Sequence, residues 1–357
     1  MDRTGPIDLL ARLGIAHPIV QAPMIGPKAT LAAAVSAAGG LGSLGCAASS
    51  VERIRADVAT IRAASDRPFN LNFFAHVPAP VDAAREAAWR WRLAPYYAER
   101  ALDPEEPVSM VERAPFDALM AACVAEIRPA VASFHFGLPD ESLLTPLRAA
   151  GCAIFASATT VREARWLVDR GVDAVIAQGA EAGGHRGMFL SEDVATQIGT
   201  FALVPQVVDA VDVPVIAAGG IADGRGVAAA LMLGADAVQV GTAYLLCPEA
   251  GISELHRAAL IGAADAETAL TNVFTGRPAR GFVNRALREL GPLAPEAPDF
   301  PRAAVALQPL RAAAEAAGSA DFTPLWSGQA APLARETGAA ALTHALAAAA
   351  ERVRGVY

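Results

Sequence analysis

The chain has 357 residues, of which 54% are hydrophobic and 18% charged, and it carries a net charge of −8 at neutral pH. That length and apolar content allow a large buried core and exclude a disordered chain. An acidic balance without a basic cluster gives no electrostatic case for a nucleic-acid partner.

The N-terminus places Asp2, Arg3, Asp8 and Arg12 around no apolar core, which is not how a secretory signal reads. Residues 29–51 carry no charge, but four glycines, four serines and a helix-then-strand pattern mark buried α/β structure rather than a membrane span. Cys46, Cys123, Cys152 and Cys247 are widely separated, with no CxxC pair and no matching histidine spacing. Buried thiols in a reducing cytoplasm are therefore expected, with neither a disulfide framework nor a metal site.

In chain order, the first strand is the apolar run from Pro18 to Met24. A helix over Thr30–Ala38 leads to a second strand near Leu41–Leu44, and Ser50 is placed to cap a helix over Val51–Ala64. The third strand is Phe69–Phe74. A long excursion from His76 to Arg128 follows, holding Trp89, Trp91, Tyr96 and Tyr97; it reads as packing that is also placed to roof a site. Strands four and five are Ala130–Phe134 and Ala153–Ala156. Thr159-Thr160 caps the helix Val161–Arg170, with Gly171 at its end. Strand six, Asp173–Ala177, runs into Gln178-Gly179-Ala180-Glu181-Ala182-Gly183-Gly184-His185-Arg186-Gly187. Strand seven, Val213–Ala218, ends in Gly219-Gly220. After a helix over Gly226–Leu233, strand eight, Ala237–Val240, ends in Gly241-Thr242.

Eight short apolar strands alternating with helices predict a TIM (β/α)8 barrel with a C-terminal helical cap. The boundaries expected are 1–248 for the barrel, 249–330 for a helical substrate-side subdomain, and 331–357 for a C-terminal helix returning to the barrel wall.

The chemistry falls at strand ends, where barrel enzymes carry it. Gly219-Gly220 and Gly241-Thr242 close two consecutive final strands, the place where a barrel grips a phosphate with backbone N–H groups. The Thr242 hydroxyl adds a donor. Asn70 and Gln178 offer paired donor and acceptor atoms suited to a heterocycle edge, or to nearby backbone. His185 is the side chain of its loop able to change charge near neutral pH. His76 and His135 end strands three and four, so they are placed to line the same cavity. Gly40–Gly45 fits a GxGxxG pattern but follows a helix and contains a strand, so it reads as tight packing. Lys28, the one lysine, sits in a polar loop and not deep in the barrel, where a Schiff-base aldolase needs it.

Gln21–Met24, Phe69–Phe74, Ser133–Gly137, the Gln178–Gly187 loop, Ala217–Gly224 and Gln239–Ala243 together resemble the nitronate monooxygenase family, formerly 2-nitropropane dioxygenase. Leu245–Glu249, Gly276–Gly281 and Trp326–Gln329 extend the likeness almost end to end and resemble the class acting on alkyl nitronates. The resemblance implies FMN, with Ala22, Pro23, Met24, Asn70, Gln178 and Gly183 along the isoalloxazine beside Gly184. It implies Gly219, Gly220, Gln239, Val240, Gly241 and Thr242 at the phosphate and His185 as the catalytic histidine; His135, from its place at the end of strand four, is a candidate for the substrate side. The implied reaction passes electrons from a nitronate such as propionate 3-nitronate through FMN to O2, giving a carbonyl compound and nitrite.

Neutral imidazole suits proton removal next to a nitro group, whereas imidazolium suits holding an anionic nitro group. The sequence leaves both roles open for His185. Ile25 and Pro27 stand where the family often has small residues and are expected to narrow the cavity. Competing readings are an NAD(P)H-dependent FMN reductase of quinones or enoyl thioesters, a non-catalytic flavin- or phosphate-ligand-binding protein, and an FMN-free aldolase. A homo-oligomer is compatible with the sequence; no nucleic acid and no membrane are expected as partners.

Overall fold

The alternating apolar runs form short strands because each is long enough only to cross a barrel wall and is buried on both faces. The computed structural model describes residues 9–24, 26, 28–106, 113–265 and 267–354. Its strands are β1 (Ile19–Gln21), β2 (Gly42–Gly45), β3 (Phe69–Phe74), β4 (Val131–His135), β5 (Ala153–Ala158), β6 (Ala174–Gln178), β7 (Gly184–His185), β8 (Val215–Ala218), β9 (Ala237–Val240), β10 (Thr268–Thr271) and β11 (Ala279–Phe282). Eight of them form one parallel sheet in the order β1-β9-β8-β6-β5-β4-β3-β2. A parallel bridge from Val20 to Leu41 joins its two ends. The fold is a TIM (β/α)8 barrel, and the expected seventh and eighth strands are β8 and β9.

Strand pleating sorts the side chains with a period of two. Ala174 and Ile176 of β6, with Ile216 and Ala218 of β8, join Val20, Val131 and Phe155 in the interior, closed below by Leu9 and Leu13. Val175, Ala177, Val215, Ala217, Val238 and Val240 point outward into the layer shared with the helices. Each fully buried valine or isoleucine of this kind contributes about 1.5–3 kcal/mol. The Ser50 hydroxyl caps the helix Val51–Ala64 by accepting from Arg53 N, and Thr160 caps Val161–Val168 by accepting from Glu163 N, as their spacing predicts.

The excursion contains the helices Ala83–Glu99 and Ala118–Ile127. Trp89 and Tyr97 bind the helix Ala303–Ala316 directly: Trp89 Nε1 donates to Ala303 O at 3.1 Å and Tyr97 Oη to Ala306 O at 2.6 Å. Trp89, Leu93, Tyr96 and Tyr97 thereby share one apolar cluster with Phe274, Leu287, Leu307, Leu310 and Phe322. A second sheet, β10-β11-β7, ties this region to the loop after β6, pairing Ala279 with His185 and Arg280 with Gly184. The last helix, Ala339–Arg354, is joined to the barrel through Thr343, whose Oγ1 lies 2.8 Å from Tyr244 Oη. Among the described residues, no helix is long and apolar enough to cross a membrane.

Candidate active site

The inward-facing residues at the carboxyl ends of the strands surround a cavity of about 440 Å³, within the range of small-molecule sites. Ala22, Pro23, Met24, His135, Gln178, Gly183, Gly184, His185, Gly219, Gly220, Gln239, Gly241 and Thr242 all line it. Three residues named from sequence do not: His76, just past β3, is buried against the Phe300 ring at 4.9 Å, and Val240 and Asn70 also miss the cavity. Val240 lies on the outward face of β9, because the pleat that turns Gln239 inward turns its neighbour away. Asn70 points inward but one layer too low: it is 1% exposed and its Nδ2 donates to Ser43 Oγ at 3.1 Å. Asn72, two residues and about 7 Å further along the strand, takes the place at the cavity wall. Ile25 and Pro27 lie outside the described residues.

The loop bearing His185 is held by side chains from several barrel strands. Both ends of the Gln178 amide are committed to backbone: Nε2 donates to His185 O at 3.0 Å, and Oε1 accepts from Gly187 N at 2.8 Å. Asn72 is similarly engaged, its Nδ2 donating to Ser133 Oγ at 2.9 Å. His135 Nε2 lies 3.0 Å from His185 O, and a carbonyl partner makes that nitrogen the donor. Its Nδ1 then accepts from Ser157 Oγ at 3.0 Å.

Arg186, 0% exposed, turns beneath the loop. It donates to Gln178 O and Gly179 O at 2.8 Å and to Gln197 Oε1 at 2.9 Å. On the far side, the buried Glu163 carboxylate accepts from Phe189 N at 2.7 Å and Leu190 N at 3.1 Å, as well as from Thr159. These bonds satisfy polar groups that burial would otherwise penalise by about 1–3 kcal/mol each. The loop is fixed before a ligand arrives.

His185 sits inside four aromatic rings. Its ring centroid lies 5.9 Å from Phe74, 5.8 Å from Phe136, 5.5 Å from Phe300 and 5.5 Å from Trp326. Phe136 has φ +70°, a left-handed conformation uncommon outside glycine, at the turn where its ring meets His185. Desolvation in this cage holds the His185 imidazolium form well below its ordinary range, and the charge of Arg113 adds to the effect. The neutral imidazole is the form this environment favours. Its Nε2 lies 3.0 Å from Thr275 Oγ1, and Thr275 donates to Arg277 O at 3.3 Å.

Gly219 and Gly220, just past β8, and Gly241 and Thr242, just past the neighbouring β9, line the same cavity. Thr242 Oγ1 accepts from Gly328 N at 2.9 Å, so its hydrogen remains available to donate. Gln239 Oε1 is buried without a hydrogen-bond partner among the described residues, an acceptor waiting for a donor. Glu181 is bonded through its carboxylate to Thr200 N and Thr200 Oγ1, at the start of the helix Thr200–Val208. The sequence reading missed Asn72, Ser157, Phe74, Phe136, Thr275, Phe300 and Trp326. Asn72 and Ser157 follow from the period of two; Thr275 and Phe300 come from beyond the barrel and carried no local signal, and Trp326 entered the sequence reading only within the Trp326–Gln329 likeness, without a role.

The sequence profile of nitronate monooxygenases matches residues 8–348. The chain is 46% identical over 346 residues to a nitronate monooxygenase of Pseudomonas aeruginosa, covering 96% of this chain and 98% of that protein. It is also 46% identical over 345 residues to one of Paraburkholderia phytofirmans, covering 96% and 94%. The crystal structure of a nitroalkane oxidase from Streptomyces ansochromogenes superposes with a TM-score of 0.86 at 40% identity, covering 98% of this chain and 99% of that one.

Proposed function

This chain belongs to the nitronate monooxygenase family and is an oxidoreductase, and from that premise we propose that it binds FMN at the barrel mouth and oxidises alkyl nitronates with O2 to a carbonyl compound and nitrite. The observation that carries the reading is His185 caged by aromatic rings on the wall of a cavity that is also lined by the glycine corners after β8 and β9.

The residues fit FMN on two counts. A Cβ added at Gly184, which has φ +72°, would enter open space at the cavity wall, so glycine here keeps room for a flat ligand. The unpartnered Gln239 Oε1 supplies an acceptor. Ala22, Pro23, Met24, Gln178 and Gly183 would lie along the ring system; Gly219, Gly220, Gly241 and Thr242 would hold the phosphate. When bound, FMN supplies the electron transfer that links nitronate to O2.

The chain's own residues handle position and protons. Thr275, its hydrogen directed to Arg277 O, accepts from His185 Nε2–H and leaves Nδ1 as the base for a neutral nitroalkane. Phe74, Phe136, Phe300 and Trp326 keep water from the imidazole. The four cysteines are buried free thiols, and a reducing cytoplasm is the compartment this reading favours.

The test is an absorbance spectrum of the purified protein, then nitrite release from ethyl nitronate and propionate 3-nitronate in air. Flavin bands with nitrite support the proposal. A colourless protein overturns it. NADH oxidation faster than nitronate turnover points to the reductase, and bound flavin without turnover points to a binding protein.

A further inference from the structure

We propose that Arg113 is the counter-charge of the cavity, pairing with an anionic oxygen of the substrate and so setting a preference for anions over neutral nitro compounds. The inference rests on the reading above and names the residue that selects within it.

Arg113 and Arg311 both line the cavity. Arg311 is already committed, its Nε donating to Glu315 Oε1 at 2.7 Å. Among the described residues Arg113 has no acidic partner, and its Nη1 is buried without a hydrogen-bond partner. The other arginines around the loop are occupied: Arg186 by three oxygens, Arg277 by Met188 O and Arg280 by Ala180 O. A largely buried cation with an unfilled donor is costly unless an anion enters beside it.

Its place in the site is defined from two sides. The guanidinium carbon lies 5.9 Å from the Phe300 ring centroid, and that ring packs against His185 at 5.5 Å. The Arg113 backbone is hydrogen-bonded by His76, just past β3. Burial and the charge of Arg113 disfavour imidazolium at His185, so it is not the group favoured to meet an anion. A guanidinium fork is, and it suits the two oxygens of a nitronate or a carboxylate.

The experiment compares wild type, Arg113→Gln and Arg113→Lys with nitroethane (neutral), ethyl nitronate (one anionic group) and propionate 3-nitronate (two). Flavin absorbance and thermal melting check that each variant is loaded and folded. Loss of a charged hydrogen bond predicts that Arg113→Gln lowers kcat/KM for an anion, relative to nitroethane, by about 10- to 100-fold, with Arg113→Lys between. A drop for both nitronates places the nitronate group at Arg113; a drop confined to propionate 3-nitronate places the carboxylate there. Unchanged ratios for both overturn the proposal. Propionate binding, measured by calorimetry, separates the two readings: if wild type turns over no nitronate, the function falls. Weaker propionate binding by Arg113→Gln would still support the anion site, and equal binding would end it.

Discussion

The imidazole of His135 and the backbone carbonyl of His185 are joined by a 3.0 Å hydrogen bond that links β4 to the two-residue strand β7. With Ser157 on its other nitrogen, His135 is a neutral clamp on the residue proposed to do the chemistry.

Acid should loosen that clamp. Burial lowers the His135 pKa from 6.5 to about 4, and His76 is lowered to about 4 for the same reason. The folded protein therefore stays unprotonated at His135 while the unfolded chain takes up a proton below pH 6.5. The stabilisation is fully present above pH 6.5 and is lost as pH falls towards 4, by roughly 3 kcal/mol for His135. Denaturant midpoints at pH 7 and pH 4.5 should fall less for His135→Gln than for wild type; an equal fall contradicts the assignment.

His185→Asn should keep the flavin spectrum and lose activity on neutral nitroalkanes by about 10²–10⁴-fold, the usual contribution of a general base. Activity on preformed nitronates should fall less, since no proton need be removed. Full nitroalkane turnover in the variant would remove His185 from the role of base.

Thr275 tests the same histidine from behind. Thr275→Val deletes the acceptor for Nε2–H, which should cut kcat on nitroethane about tenfold, the scale of one buried hydrogen bond. Losing a partner that favours imidazolium should also move the acidic limb of the pH profile to lower pH. Thr275→Ser should restore both. A packing role alone would leave the limb in place.

Gln239→Leu separates folding from ligand binding. Removing a buried unpartnered oxygen should leave the ligand-free protein equally stable or more so, while FMN binds more weakly. Melting of the flavin-free protein and fluorescence titration with FMN measure the two effects; unchanged FMN affinity would take Gln239 out of the cofactor site.

Adjacent glycines should behave differently. A Cβ at Gly183 would sit 2.5 Å from Gly328 N, so Gly183→Ala should displace the loop and lower stability. At Gly184 the added methyl meets no atom within 4 Å, so Gly184→Ala should cost about 1–2 kcal/mol of backbone strain and weaken FMN binding by entering the cavity. Equal melting temperatures for the two variants would contradict this.

The barrel was legible because its signal is local. Each strand announces itself by an apolar run of a few residues, and observed strands begin within two residues of their expected starts. The glycine corners at Gly219-Gly220 and Gly241-Thr242, with the loop from Gln178 to Gly187, were readable for the same reason: a strand end in a barrel has one destination. Pleating was readable in principle and would have added Asn72 to Asn70 on the inward face of β3 and turned Val240 outward.

Only the tertiary structure decided what surrounds His185. Phe300, Trp326 and Thr275 lie about a hundred or more residues away, and they reach it through β11 pairing with β7 and through the cluster that joins Trp89 to the helix Ala303–Ala316. Burial among those rings, and not the identity of the residue, favours the neutral imidazole, because the energy of a charge depends on the medium around it. The sequence named the histidine; the fold chose its protonation state.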